Sequence, residues 1–203
     1  MRKGFTIIEA VVAVAIFLVV ISVMVVFQRS VLTNTKVLQS GLLVQTQARK
    51  TIQTFIAEVR SVTPSAGGAY PIEIAATSSF VFYANIDGDS AVERVRYFLG
   101  TTTPPSTFLK GVTKPTGIVY NLANENISTR VNAINASSTV PVFTYYDKNY
   151  NGTSSSTPLS EPVNIPDIRL IKMSLPVDPN QSRSPVFQTY STQVMLRNLK
   201  DNF

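Results

Sequence analysis

The chain has 203 residues, with 18 Lys and Arg against 12 Asp and Glu and a net charge of +6. It contains no cysteine and no histidine, which excludes disulfides, thiol nucleophiles, Ser-His-Asp and Cys-His catalysis, and zinc sites built on those side chains. The length accommodates one membrane helix and one domain of about 150 residues, large enough to bury its own core.

Arg2 and Lys3 precede Gly4, and the run from Phe5 to Phe27 is almost wholly apolar, with Glu9 its one charge and no proline. A helix over this run is about 34 Å long, enough to cross a bilayer core. The basic pair in front of it predicts a cytoplasmic N-terminus, with everything after Phe27 outside. A carboxylate inside a membrane span costs free energy and marks function. Cleavage between Gly4 and Phe5 creates an amino group at Phe5, and such an ammonium on a neighbouring copy can pair with Glu9. A secretory signal peptide has a shorter apolar run and small residues at its cut. Here Val25-Val26-Phe27-Gln28-Arg29-Ser30 follows instead. A plain signal anchor accounts for the span but for neither Gly4-Phe5 nor Glu9.

The order Arg2-Lys3-Gly4-Phe5-Thr6-Ile7-Ile8-Glu9-Ala10, ahead of a long apolar helix, resembles the class III signal of type IV pilins and type II secretion pseudopilins. The resemblance implies that prepilin peptidase cuts after Gly4, that Phe5 becomes the N-methylated N-terminus, and that Glu9 guides assembly. It implies an α+β pilin fold, with a long N-terminal α-helix, its first half transmembrane, packed on an antiparallel β-sheet domain. The expected divisions are a leader at 1–4, a transmembrane and filament-core helix at 5–27, an amphipathic continuation at 28–62 and a β-rich globular domain at 63–203. Expected partners are prepilin peptidase, other pilin or pseudopilin subunits, the inner-membrane assembly platform and the membrane itself. The expected location is the inner membrane, with the N-terminus inside and the domain outside, then an extracytoplasmic filament. Loss of residues 1–4 leaves a side-chain charge of +4.

Residues 28–60 read as more helix, free of proline up to Pro64. Apolar residues at Val31, Leu38 and Leu42, then Val44, Ala48, Ile52, Phe55 and Val59, keep near-helical spacing in each half. The stripe changes phase near Gly41, a candidate bend or close contact, and the second stripe is expected to face the domain. Thr63-Pro64 and Gly67-Gly68 end the helix. The basic residues Arg29, Lys36, Arg49, Lys50 and Arg60 read as a solvated or subunit-contacting face; no base-reading motif accompanies them, so nucleic acid is not an expected partner.

Beyond residue 68 the pattern is β. Strands are predicted at 71–74, 79–84 and 92–99, the last two a hairpin through Asn85-Ile86-Asp87-Gly88-Asp89. A Thr-Pro loop at 101–105 leads to a short strand at 107–110, and a short helix is predicted around 122–134. Further strands are predicted at 142–146, 167–175 and 187–199, with Val194 and Leu196 on one face and a loop at 176–185. Short turns make the sheet antiparallel. The strand runs Arg94 to Leu99, Phe143 to Asp147, Ile168 to Lys172 and Val194 to Leu199 are similar to those of J-type minor pseudopilins and PilW-like minor pilins. That likeness implies a minor subunit near the filament tip.

Two turns carry metal-ligand spacing. Asp147, Asn149 and Asn151 place oxygens at alternate positions before Gly152, as a calcium loop does, but its twelfth position is Pro158 and Glu161 falls three residues late. Asn85, Asp87 and Asp89 form a second oxygen-rich turn. Asp, Asn and Gly are also ordinary turn formers, so calcium is the one cofactor these residues raise. Asp87 and Asp89 sit on a hairpin tip without an evident pocket, and no catalytic set is expected. The function expected is structural; the alternatives are a tip-located binding module using loops 100–107 and 150–160, and a plain membrane-anchored protein.

Overall fold

The computed structural model describes residues 4, 6–100, 106–135, 140–150, 152, 157–178 and 188–196, without the side chains of 34 and 36–38. Helix α1 (Ile7–Arg60) is followed by β1 (Ile72–Ala75), β2 (Ser79–Ala84), β3 (Glu93–Leu99), β4 (Ser106–Thr113), β5 (Pro115–Thr116), β6 (Val119–Tyr120), β7 (Asn126–Ile134), β8 (Phe143–Tyr146), β9 (Leu170–Val177) and β10 (Gln188–Met195). The layout is α+β, a long N-terminal apolar helix followed by an antiparallel sheet domain. Two compact units divide the chain, one up to Leu42 and the other from Leu43 onward.

In the first unit the helix exposes apolar side chains all round: Ile7 is 86% and Phe27 68% exposed. The segment Ile7–Thr33 is long and apolar enough to cross a membrane. Two of its hydroxyls donate to carbonyls within the helix. Ser22 Oγ donates to the Val19 carbonyl at 2.7 Å and Thr33 Oγ1 to that of Arg29 at 2.8 Å. Such a helix is stable in lipid or among other helices, where no water completes its hydrogen bonds.

In the second unit the last turns of α1 bury Val44, Ala48, Thr51, Phe55 and Val59, at intervals of three and four residues. The sheet runs β1-β2-β3-β4-β7-β9-β10, with β8 also paired to β9, and every pairing is antiparallel. Phe55 is the centre of the core. Its ring lies 5.3 Å from Tyr97, edge-on, 6.1 Å from Phe80 and 5.9 Å from Phe143. The predicted second stripe of α1 is therefore the face the domain buries, with Thr51 inside it and Ile52 at its margin.

One charged cluster lies within this packing, and a second joins strands elsewhere on the sheet. Beneath α1, buried Lys110 pairs with Glu58, whose other oxygen accepts from the Tyr97 hydroxyl at 2.8 Å. Burial, and then the Glu58 carboxylate, push the Tyr97 phenol far above its ordinary range. A second set of contacts joins Glu73 to Arg94 and Glu125 to Arg96. Arg94 donates to both Glu73 oxygens, at 2.7 and 2.8 Å, and lies 3.9 Å from Glu125. Burial alone would raise the Glu73 carboxyl, but hydrogen bonds from Arg94 and Tyr83 outweigh it and hold it below its usual value.

The β2–β3 hairpin falls where the alternation places it, pairing Ser79 with Phe98 through Ala84 with Glu93. Three expectations are corrected. Residues 122–134 hold no α-helix: a 3-10 turn at Leu122–Asn124 leads into β7. Ile127 and Thr129 pair with Gly111 and Leu109, Val131 pairs with Phe108 beyond a register shift, and this partner strand β4 is what local propensity cannot reveal. The strand predicted at 167–175 starts later, after a 3-10 turn at Ile165–Asp167, and runs through Pro176. Near the end of β9 the missing N–H of Pro176 is tolerated, while its carbonyl accepts from Asn135 N–H at 2.9 Å. The strand predicted at 107–110 extends over all of β4, long enough to carry Lys110 and Gly111 to the middle of the sheet. The small β5–β6 hairpin, turning at Gly117 with φ +65°, was not predicted.

Candidate functional site

The N-terminal candidates begin with Gly4, which is exposed, with nothing within 4 Å of where a Cβ would stand. Phe5 lies outside the described residues. Thr6 and Glu9 form a reciprocal cap on α1. Thr6 Oγ1 accepts from Glu9 N–H at 3.4 Å, while Glu9 Oε2 accepts from Thr6 N–H and Thr6 Oγ1, both at 3.4 Å. The Thr6 carbonyl receives Glu9 N–H and Ala10 N–H at 3.1 and 3.2 Å. This is a capping box, and the carboxylate also sits at the positive end of the helix dipole. Sequence reasoning missed Thr6, although Thr-x-x-Glu before an apolar run is the legible signal for it. Glu9 thus has a partner within its own chain, and its exposed side chain is held at the first turn.

The β2–β3 turn brings together more than was predicted. Asn85 Oδ1 accepts from Gly88 N–H at 2.8 Å, and Gly88 adopts the left-handed φ of +78° that the turn requires. Asp87 and Asp89 each turn Oδ1 to the backbone, accepting from Asp89 N–H at 3.3 Å and Ala91 N–H at 2.6 Å. Their Oδ2 atoms converge on the Lys114 ammonium, which contacts Asp87 and lies 2.9 Å from Asp89. Glu93, fully buried at the start of β3, joins them, with Lys114 Nζ 3.7 Å from its Oε1. Hydrogen bonds to Asp87, then to Asp89, raise the Lys114 pKa, and the same contact to Lys114 lowers that of Asp87. Neither Glu93 nor Lys114 was singled out from sequence, because only the β3–β4 pairing carries Lys114 back to the turn.

At the other turn, Asp147 accepts through both oxygens from Asn149, from N–H at 2.9 Å and from Nδ2 at 2.7 Å. The two predicted ligands therefore satisfy one another, as in an Asx turn. Asn151 lies outside the described residues. Asp147, Lys148, Asp167 and Arg169 line a polar cavity of about 310 Å³. Its two basic side chains balance its two acids. Of the predicted binding loops 100–107 and 150–160, residues 101–105, 151 and 153–156 lie outside the described residues, and 106–107 open β4 instead.

Among known proteins, a family model described as the prokaryotic N-terminal methylation motif matches residues 1–25. Neither a curated protein nor a solved structure matches the chain. The match covers the basic pair, Gly4, Phe5, Glu9 and most of the apolar run, and the capped apolar helix begins within it. Residues 1–25 therefore carry the class III prepilin signal, the N-terminal methylation motif of type IV pilins and pseudopilins.

Proposed function

We propose that the protein is a structural subunit, of the minor kind, of a type IV pilus or type II secretion pseudopilus. Prepilin peptidase cuts after Gly4 in the membrane, Phe5 is N-methylated, and the subunit then passes to the assembly platform. The observation that carries the reading is the methylation motif laid over an apolar helix exposed on every side. The helix exchanges lipid for neighbouring helices, so its apolar surface stays out of water throughout. Glu9 then accepts the Phe5 ammonium of an adjacent subunit. The capping box presents its carboxylate at the helix start, and the pairing offsets the cost of a charge in an apolar core. The β-domain, outside the membrane, sets which subunits are neighbours. Its role is contact between proteins, not catalysis.

Mass spectrometry of filaments sheared from native cells tests this. A methylated Phe5 at a few per cent or less of the main subunit supports the reading, and an intact Met1 found only in membranes overturns it. Glu9→Ala is expected to leave cleavage intact and to abolish incorporation; normal incorporation of that variant refutes the Glu9–Phe5 pairing.

A further inference from the structure

We propose that the β2–β3 turn is a calcium site in which Asp87, Asp89 and Glu93 are the protein ligands and the Lys114 ammonium is the competing cation. The observation beyond the acidic cluster itself is Glu93. Its side chain is fully buried, Oε2 accepts from Ile86 N–H at 3.1 Å, and Oε1 accepts no hydrogen bond. The nearest cation, Lys114 Nζ, is 3.7 Å away, beyond hydrogen-bonding range. A buried carboxylate oxygen without a donor is costly and calls for an ion or a water. Oxygens of Asp87, Asp89 and Glu93 lie within 4.8 Å of one another. Two ligands on opposite sides of a calcium ion, each about 2.4 Å from it, span about the same distance. Three carboxylates face one ammonium, so the cluster keeps a surplus negative charge for a divalent ion.

The remaining calcium positions are open to water, because Asp87 and Asp89 are about half exposed, 40% and 46% by side chain. Lys114 is 57% exposed, so its flexible stem can carry the ammonium into solvent as the ion enters. Asn85 has a supporting role: Oδ1 and Nδ2 are both committed to the backbone of the turn, which holds the two Asp residues in place. This assignment keeps Asp87 and Asp89 from the oxygen-rich turn and adds the one ligand that only the fold supplies.

The site is independent of whether the chain enters a filament, and calorimetry on the isolated protein reads the ion alone. Calcium chloride is titrated into the EDTA-stripped full chain in detergent micelles, with thermal unfolding as a second readout. Saturable binding of one ion and a raised Tm are expected. Lys114→Met should bind about two- to fivefold more tightly, because no ion pair has to be broken. Glu93→Gln should bind at least about tenfold more weakly, since affinity follows ligand charge. No heat and no change in Tm up to about 10 mM calcium, beyond the range of weak extracellular sites, overturns the proposal. Unchanged affinity in Lys114→Met overturns it equally, and that exposed position decides the matter if Glu93→Gln does not fold.

Discussion

Lys110→Met tests how the end of α1 is held on the sheet. The Lys110 side chain is 3% exposed and that of its partner Glu58 11%, so the pair is shielded from water. Met fills nearly the same volume, which keeps the packing loss small. What remains is a carboxylate against an apolar core, with the Tyr97 hydroxyl at 2.8 Å as its retained donor. Removing one partner of a buried pair costs about 3–5 kcal/mol, and the surviving Tyr97 contact places the cost near the lower figure. For a domain of this size, about 3 kcal/mol corresponds to a fall in Tm of about 6–12 °C. The double variant Glu58→Leu/Lys110→Met leaves neither charge of this pair. Its remaining penalty is one unpartnered phenol, about 1–2 kcal/mol. Circular dichroism melts of the four proteins of this cycle, in detergent, give the coupling directly. A single variant that loses less than about 1 kcal/mol, or a double variant less stable than the single, would refute the argument that the charge pair, not the side-chain volume, matters here.

Gly111→Ala places a Cβ 2.2 Å from Glu125 Oε1, so the carboxylate must leave its position between Arg94 and Arg96. The expected loss is about 1–2 kcal/mol in chemical denaturation, and a Glu125→Gln background should remove most of that difference. Acid provides another test. The Glu73 carboxyl is held below its ordinary value of 4.5, so its contribution is complete above that pH and is lost as pH falls through the lower folded-state value. Melting curves from pH 6 downward should show a decline that is shallower in Glu73→Gln. Thr6→Val removes half of the capping box, at a cost of about 1 kcal/mol. Amide exchange at Glu9 and Ala10, whose N–H groups Thr6 accepts, should quicken about fivefold in micelles; equal rates would show that the box does not hold the first turn.

The N-terminal reading was local, and so it was legible. A basic pair, Gly4, Phe5, Glu9 and an unbroken apolar run lie within a few turns of one another, and Thr6 with Glu9 spells its own cap. The face of α1 at Val44, Ala48, Phe55 and Val59 and the β2–β3 hairpin were legible for the same reason: periods of 3.6 and 2 are properties of adjacent residues. The strand β7 was not, because Asn, Ser and Thr have weak preferences and only pairing with β4 makes 126–134 extended. Nor did the residues around Pro176 announce a strand that ends beside β7 and β10. The charged sites show the difference most sharply. Asp87 and Asp89 stand out in the sequence as a turn. The β3–β4 register brings Lys114 to them from 27 and 25 residues away, and the start of β3 buries Glu93 beside them. Glu58, Tyr97 and Lys110 likewise meet because a helix lies on a sheet, from segments 39 and 52 residues apart. Sequence alone determined the membrane-compatible helix and the N-terminal methylation motif, since both are set by side chains close together along the chain. Tertiary structure alone decided which charges are buried together, because burial and pairing depend on surfaces that exist only after distant strands close on one another.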